Sequence, residues 1–149
     1  MLPRAGKGYP SPMLDVVVAS DEAWVREEVG AVLSGRPDIT VHEVTTGVSV
    51  LPAVLEYEPE LVIVDLQIGN MGGMAACMNL RLEESADRID HTPVLMLLDR
   101  RPDVFLARRA GADGWVIKPL DPIRLRKAVN ALLDGGTYHD ESYQPASIA

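Results

Sequence analysis

Disulfides are excluded first. The 149-residue chain has one cysteine, Cys77, and a lone thiol in a helical pattern fits a reducing, cytoplasmic setting. Histidine is nearly as sparse: His42, His91 and His139 are scattered, so no metal cluster can be read from them. No stretch approaches the ~20 consecutive apolar residues of a membrane-spanning helix, and no membrane insertion is expected. The opening MLPRAGKGYPSPM lacks the apolar centre of a signal peptide, so residues 1–13 read as a flexible leader. Positive charge is also short. A net charge of −8 argues against nucleic acid as a partner.

What is present is enough apolar sequence, 47%, for one globular domain with a real core, in a chain too short for two comfortable ones. Apolar runs of strand length alternate with segments of helical period, the pattern of a parallel sheet built from βα units. The strand-like runs are LDVVVA (14–19), ITVHEV (39–44), LVIVD (61–65), PVLMLL (93–98) and GWVIK (114–118). Helical spacing recurs at Val25, Val29, Val32 and Leu33, at Met74, Cys77, Met78 and Leu82, and at Ile123, Val129, Leu132 and Leu133. Weaker helical segments cover 48–56 and 103–110, with Gly111 a natural stop for the latter. Met71, Met74 and Met78 read as core filling, and Trp24 as a surface or partner contact.

Five such units predict a flavodoxin-like doubly wound five-stranded parallel sheet, order 2-1-3-4-5, over residues 14–136. Gly135-Gly136 closes the last helix, and the polar tail 137–149 is too short for an output domain.

In an open parallel sheet the functional crevice lies outside the carboxyl ends of the strands. There the first strand runs into Ser20-Asp21-Glu22, the third ends in Asp65, the fourth in Leu98-Asp99, and the fifth in Lys118-Pro119. Asp21 and Asp65 end neighbouring strands, and two such carboxylates repel unless a cation sits between them. A hard divalent ion such as Mg²⁺ suits an all-oxygen site of this kind. Lys118, entering from the other side, would hold Asp65 ionised or pair with a phosphate oxygen. An aspartate between a metal and a lysine is a plausible nucleophile for phosphoryl transfer. Ser20-Asp21-Glu22 also fits a helix N-cap, and the two roles can coexist.

With VVVASDE, LVIVDLQIGNMGG, PVLML and AGADGWVIKP in this order, the sequence resembles the receiver domains of two-component response regulators over roughly residues 14–133. The resemblance implies Asp65 as phospho-acceptor and Lys118 as the phosphate-contacting lysine. It implies Mg²⁺ ligated by Asp21, Asp65 and the Gln67 backbone carbonyl, and a cis Lys118–Pro119 bond. It further implies a non-enzymatic regulatory domain, at most charging itself from a phosphodonor and discharging itself, with a histidine kinase among its possible partners.

The departures carry equal weight. Ser20 replaces the first of two adjacent acids, so it can hold the metal only through water, and Mg²⁺ should bind weakly. Leu98 replaces the Thr or Ser whose hydroxyl bonds the phosphoryl group, and Asp99 places a like charge nearby. Gly69 replaces the usual proline, while Trp115 keeps the aromatic switch position.

From Arg100 to Lys127 eight basic residues meet three acids, a segment of +5 against −13 for the rest. By the resemblance, its Arg108, Arg109, Arg124, Arg126 and Lys127 belong to the helix 4–strand 5–helix 5 surface through which such domains meet partners. One-signed charge there disfavours a homodimer and favours an acidic protein partner; a solvated face is the plain alternative. Two functions follow: a stand-alone receiver phosphorylated at Asp65, or a pseudo-receiver serving as a constitutive interaction subunit of a larger assembly. Enzymes and cofactor modules of similar topology fit worse. An aspartyl phosphatase wants a second acid where Gln67 stands, a flavodoxin wants a hydroxyl- and glycine-rich loop where SDEAW stands, and a cobalamin module wants a histidine that DLQIG lacks.

Overall fold

The computed structural model describes residues 13–141; the expected leader lies outside them except for Met13, as does the tail beyond Glu141. Six parallel strands form one sheet in the order β2-β1-β3-β4-β5-β6. They are β1 (Leu14–Ala19), β2 (Ile39–Val44), β3 (Leu61–Asp65), β4 (Val94–Leu98), β5 (Gly114–Ile117) and β6 (Tyr138–His139). Five helices connect them: α1 (Ala23–Leu33), α2 (Val50–Tyr57), α3 (Gly73–Ser85), α4 (Val104–Ala110) and α5 (Pro122–Leu133). The five expected strands and their order hold, and β6 is an addition.

Side chains alternate across each strand, so every strand feeds two cores. Val17, Val62, Val64, Met96, Leu98 and Trp115 point to the layer of α2, α3 and α4. Val16, Val18, Ile63, Leu95, Leu97 and Val116 point to the layer of α1 and α5. The strands β3 and β4 are buried at every residue, which is why they read as unbroken apolar runs. Each fully buried Leu or Ile contributes roughly 1.5–3 kcal/mol.

Two helices bury sets that only partly overlap the ones expected, with Cys77 on α3 and Val129 and Leu132 on α5 common to both. On α3 the buried residues are Gly73, Ala76, Cys77 and Leu80. Met78 and Leu82 are instead 44% and 66% exposed, and Met71 and Met74 pack only at the core's margin. Small residues bring α3 close to the sheet: a Cβ on Gly73 would lie 2.6 Å from the Asp65 carbonyl oxygen. On α5 the buried set is Leu125, Ala128, Val129 and Leu132, and Ile123 is exposed.

The start of the tail, expected only to be too short for an output domain, adds a strand: Tyr138–His139 form β6 along the open edge of β5. Gly114 pairs with Tyr138 and Trp115 with His139. The His139 ring stacks on Trp115 at 4.3 Å with planes 4° apart. Buried Asp140 follows, and its Oδ2 accepts the Ile117 N–H at 2.9 Å. A carboxylate thus completes the ladder that the two-residue strand leaves short.

Candidate functional site

Asp65 ends β3 and is 1% exposed. A buried carboxylate needs donors on both oxygens. Oδ1 accepts from Lys118 Nζ at 2.9 Å and from the Gln67 N–H at 3.2 Å, and Oδ2 accepts from the Ser20 hydroxyl at 3.0 Å. The Ser20 oxygen in turn accepts the Glu22 N–H at 3.1 Å. The expected N-cap at Ser20 is therefore not formed: α1 begins at Ala23, its N-cap is Glu22, and no side chain caps it. The wholly buried serine turns its hydroxyl inward to Asp65.

Lys118 reaches the crevice from the end of β5, across a cis Lys118–Pro119 peptide. It also donates to Asp99 Oδ1 at 2.8 Å, bridging the acid of β3 and the acid after β4. Burial alone would ease loss of the Lys118 proton, but the hydrogen bonds and charges of Asp99 and Asp65 outweigh it and raise its pKa. The Trp24 ring lies 5.6 Å from the Lys118 nitrogen, and its Nε1 donates to Glu22 Oε1. Trp24 was read only as a surface or partner contact, and nothing in its sequence neighbourhood signals the lysine.

Asp21 takes its donor from a different loop: its Oδ2 accepts the Gly69 N–H at 3.0 Å. A proline at 69 has no such N–H, so glycine here lets the loop after β3 clasp the loop after β1. That loop is pinned from the other side, Gly47 N–H donating to Gly69 O and Val48 N–H to Asn70 O, both at 2.9 Å. Its Asn70 and Met71 sit at φ 53° and 76°, a left-handed pair held by these bonds.

Among the described residues, no three His, Cys, Asp or Glu side chains form a metal cage. Asp21, Asp65 and the Gln67 carbonyl are nonetheless all oxygen donors, and Mg²⁺ is ordinarily held by one or two carboxylates with water completing its shell. The donor set fits such an ion. With Ser20 in place of an acid, it would be held by one negative charge fewer.

Leu98 is fully buried among the α4-side core residues and presents no hydroxyl. Trp115 is buried between His139 on one side and the Arg108 guanidinium, 5.0 Å from its ring centre. The basic residues are spread over α4 and α5. The strand β6 lies along β5 between the layers of α4 and α5. Arg124 is tied to Asp121 at 3.4 Å and faces Asp140 at 3.8 Å. Arg126 lines a groove with Glu27 and Glu28 of α1, while Arg108 and Arg109 are exposed on α4. Lys127, on α5, is exposed as well.

A family model described as the response regulator receiver domain matches residues 16–130. The chain is 28% identical over 135 residues to the nitrate/nitrite response regulator protein NarL of Escherichia coli, covering 90% of this chain and 61% of NarL. It is 32% identical over 136 residues to the DNA-binding response regulator MtrA of Mycobacterium tuberculosis, covering 90% of this chain and 56% of MtrA. It thus spans little more than half the length of these curated relatives. Among solved structures, the signal receiver domain of NarL from Mycobacterium tuberculosis superposes with a TM-score of 0.72 at 26% identity, covering 83% of this chain and 98% of that one. Chemotaxis response regulator CheY4 of Vibrio cholerae, at 23% identity and TM-score 0.70, covers 80% of this chain and 98% of that one and shares the fold. The matched region holds Ser20, Asp21, Asp65 and Lys118 together, and the chain belongs to the response regulator receiver domain family.

Proposed function

We propose that this receiver domain accepts a phosphoryl group on Asp65 and signals through protein contact. The supporting observation is the buried Asp65 carboxylate with the Lys118 ammonium 2.9 Å away at the strand ends. An Asp65 oxygen attacks the phosphorus of a donor, an acyl–phosphate bond forms, and the donor's leaving group departs with the bonding pair. Lys118 is placed to balance charge on the phosphoryl oxygens, and Ser20 keeps the attacking carboxylate oriented. Bound Mg²⁺, held by Asp21, Asp65 and the Gln67 carbonyl, would neutralise charge between carboxylate and donor. A histidine kinase or a small acyl phosphate is the fitting donor class, and self-discharge by water is the fitting return step.

A second reading has its own observation. Lys118 is already shared with Asp99 at 2.8 Å, and Leu98 has no donor for a phosphoryl oxygen. A phosphoryl group shifts a conformational equilibrium only by its differential contacts with the two states. With the hydroxyl absent, the domain would serve as a constitutive interaction module, a pseudo-receiver, whatever the state of Asp65.

Intact mass after incubation with acetyl phosphate and Mg²⁺, beside an Asp65→Asn control, tests the first reading. A phosphoryl-sized gain absent from the control supports it. No gain at any Mg²⁺ concentration overturns it and leaves the docking module.

A further inference from the structure

The second acid that an aspartyl phosphatase would carry at position 67 is absent here, where Gln67 stands, but a neighbouring strand supplies one. Leu97 of β4 pairs with Asp65 on one side, and Leu98 pairs with Ile117 on the other. The next residue, Asp99, therefore stands opposite Lys118 at the strand ends. Lys118 Nζ donates to Asp65 Oδ1 at 2.9 Å and to Asp99 Oδ1 at 2.8 Å. The two carboxylates face one ammonium and lie no more than two hydrogen-bond lengths apart.

Their surroundings differ as those of a nucleophile and a base must. Asp65 is buried and takes donors on both oxygens, from Lys118, the Gln67 N–H and the Ser20 hydroxyl. The Asp99 side chain is 36% exposed, and Lys118 is its one hydrogen-bond partner among the described residues. Solvent reaches Asp99 and not Asp65. A phosphoryl group on Asp65 would draw the lysine ammonium to its own oxygens. Asp99 would then stand beside the phosphorus with its acceptor sites open to water. Leu98, buried and apolar, offers nothing to bind that water.

We propose that Asp99 is the general base that discharges phosphorylated Asp65. A water held by Asp99 attacks the phosphorus, and its proton passes to the Asp99 carboxylate as the new P–O bond forms. The bond from phosphorus to the Asp65 oxygen breaks with its electron pair staying on Asp65. Inorganic phosphate leaves, Asp99 returns the proton to solvent, and Lys118 bridges the two acids again. This step rests on phosphorylation of Asp65 and sets how long the phosphoryl group lasts.

The test loads the full chain and its Asp99→Asn and Asp99→Glu variants with acetyl phosphate and Mg²⁺, removes the donor, and follows loss of the phosphoryl mass in H2O and D2O. Asparagine keeps an oxygen for Lys118 but takes no proton. The position is exposed, so the variants should fold, and circular dichroism verifies this. Asp99→Asn should discharge at least about tenfold more slowly than the parent and lose its solvent deuterium isotope effect. Asp99→Glu should keep that isotope effect and discharge faster than Asp99→Asn. Loss from Asp99→Asn as fast as from the parent overturns the proposal. So does slower loss with the isotope effect intact, which would make Asp99 only a positioning residue for Lys118. No phosphoryl gain in any of the three proteins overturns the phosphorylation reading as well, whereas normal gain with unchanged loss overturns the base alone.

Discussion

Replacing Lys118 with methionine removes one cation from two carboxylates while keeping most of the side-chain volume. Its ammonium bonds Asp65 at 2.9 Å and Asp99 at 2.8 Å, with the lysine side chain 13% exposed and Asp65 1% exposed. In the variant Asp65 keeps only the Ser20 hydroxyl and the Gln67 N–H. Stranding one member of a buried pair costs about 3–5 kcal/mol, and the more exposed Asp99 pairing adds at most about 1 kcal/mol. Against a total stability of about 5–15 kcal/mol, a loss near 4 kcal/mol is large and lowers the melting temperature by on the order of 10 °C. The companion variant Lys118→Met/Asp65→Asn removes both charges and should recover about 2–3 kcal/mol of that loss. Urea unfolding of the four members of this cycle at pH 7 measures the coupling. If Lys118→Met unfolds within about 1 kcal/mol of the parent, or if the two changes add without coupling, then Asp65 is not the desolvated anion described above.

Three further outcomes are expected. Burial raises the Cys77 thiol to about 11 from a reference of 9.0, so the folded state favours the protonated form. That stabilisation, about 2–3 kcal/mol, is complete below pH 9 and lost as pH rises towards 11; urea unfolding of Cys77→Ala should lack this slope, and an equal slope in both proteins contradicts it. A Cβ at Gly47 would overlap the Met71 carbonyl oxygen, so Gly47→Ala should cost about 3 kcal/mol or displace the loop after β3, and an unchanged thermal melt rules out that contact. Asp140→Ala leaves the buried Ile117 N–H without its acceptor and should cost about 1–3 kcal/mol, with faster hydrogen exchange at that amide; full retained protection would mean the carboxylate is dispensable.

Much of this molecule is legible from residue order alone because its central strands β3, β4 and β5 are buried on both faces. Apolar runs mark β1, β3, β4 and β5, and the acids after β1 and β4 and at the end of β3, with Lys118 after β5, mark the crevice. Asp65 and Lys118 meet because a parallel sheet stacks its carboxyl ends together, which needs only the strand order. What escaped is whatever depends on contacts between distant segments. Two residues are too few to show a period, so β6 left no trace; its evidence is the stacking of His139 on Trp115 and the bond from Ile117 to Asp140. The α3 face was only partly anticipated because methionine and leucine outweigh alanine and glycine in any hydrophobic count. The close approach to the sheet instead favours the small residues. Similarly, the basic run from Arg100 to Lys127 is one block in sequence, but nothing in that block shows that Arg124 meets Asp140 or that Arg126 lines a groove with Glu27 and Glu28. The partners of Ser20, with Asp65 45 residues away, could not have been found locally.

The last described strand also bears on the exposed edge of the sheet. A four-residue strand buried at every position, such as β5, would present a row of open amides and carbonyls that another chain could extend. The His139 ring shields one flank of that edge, and the Asp140 carboxylate takes the N–H where the next rung would begin. A carboxylate accepts but cannot donate, so it terminates the ladder instead of passing it on. The segment from Tyr138 to Asp140 thus covers an edge that would otherwise be open to pairing with another chain. Clipping it should be felt first as turbidity at high protein concentration.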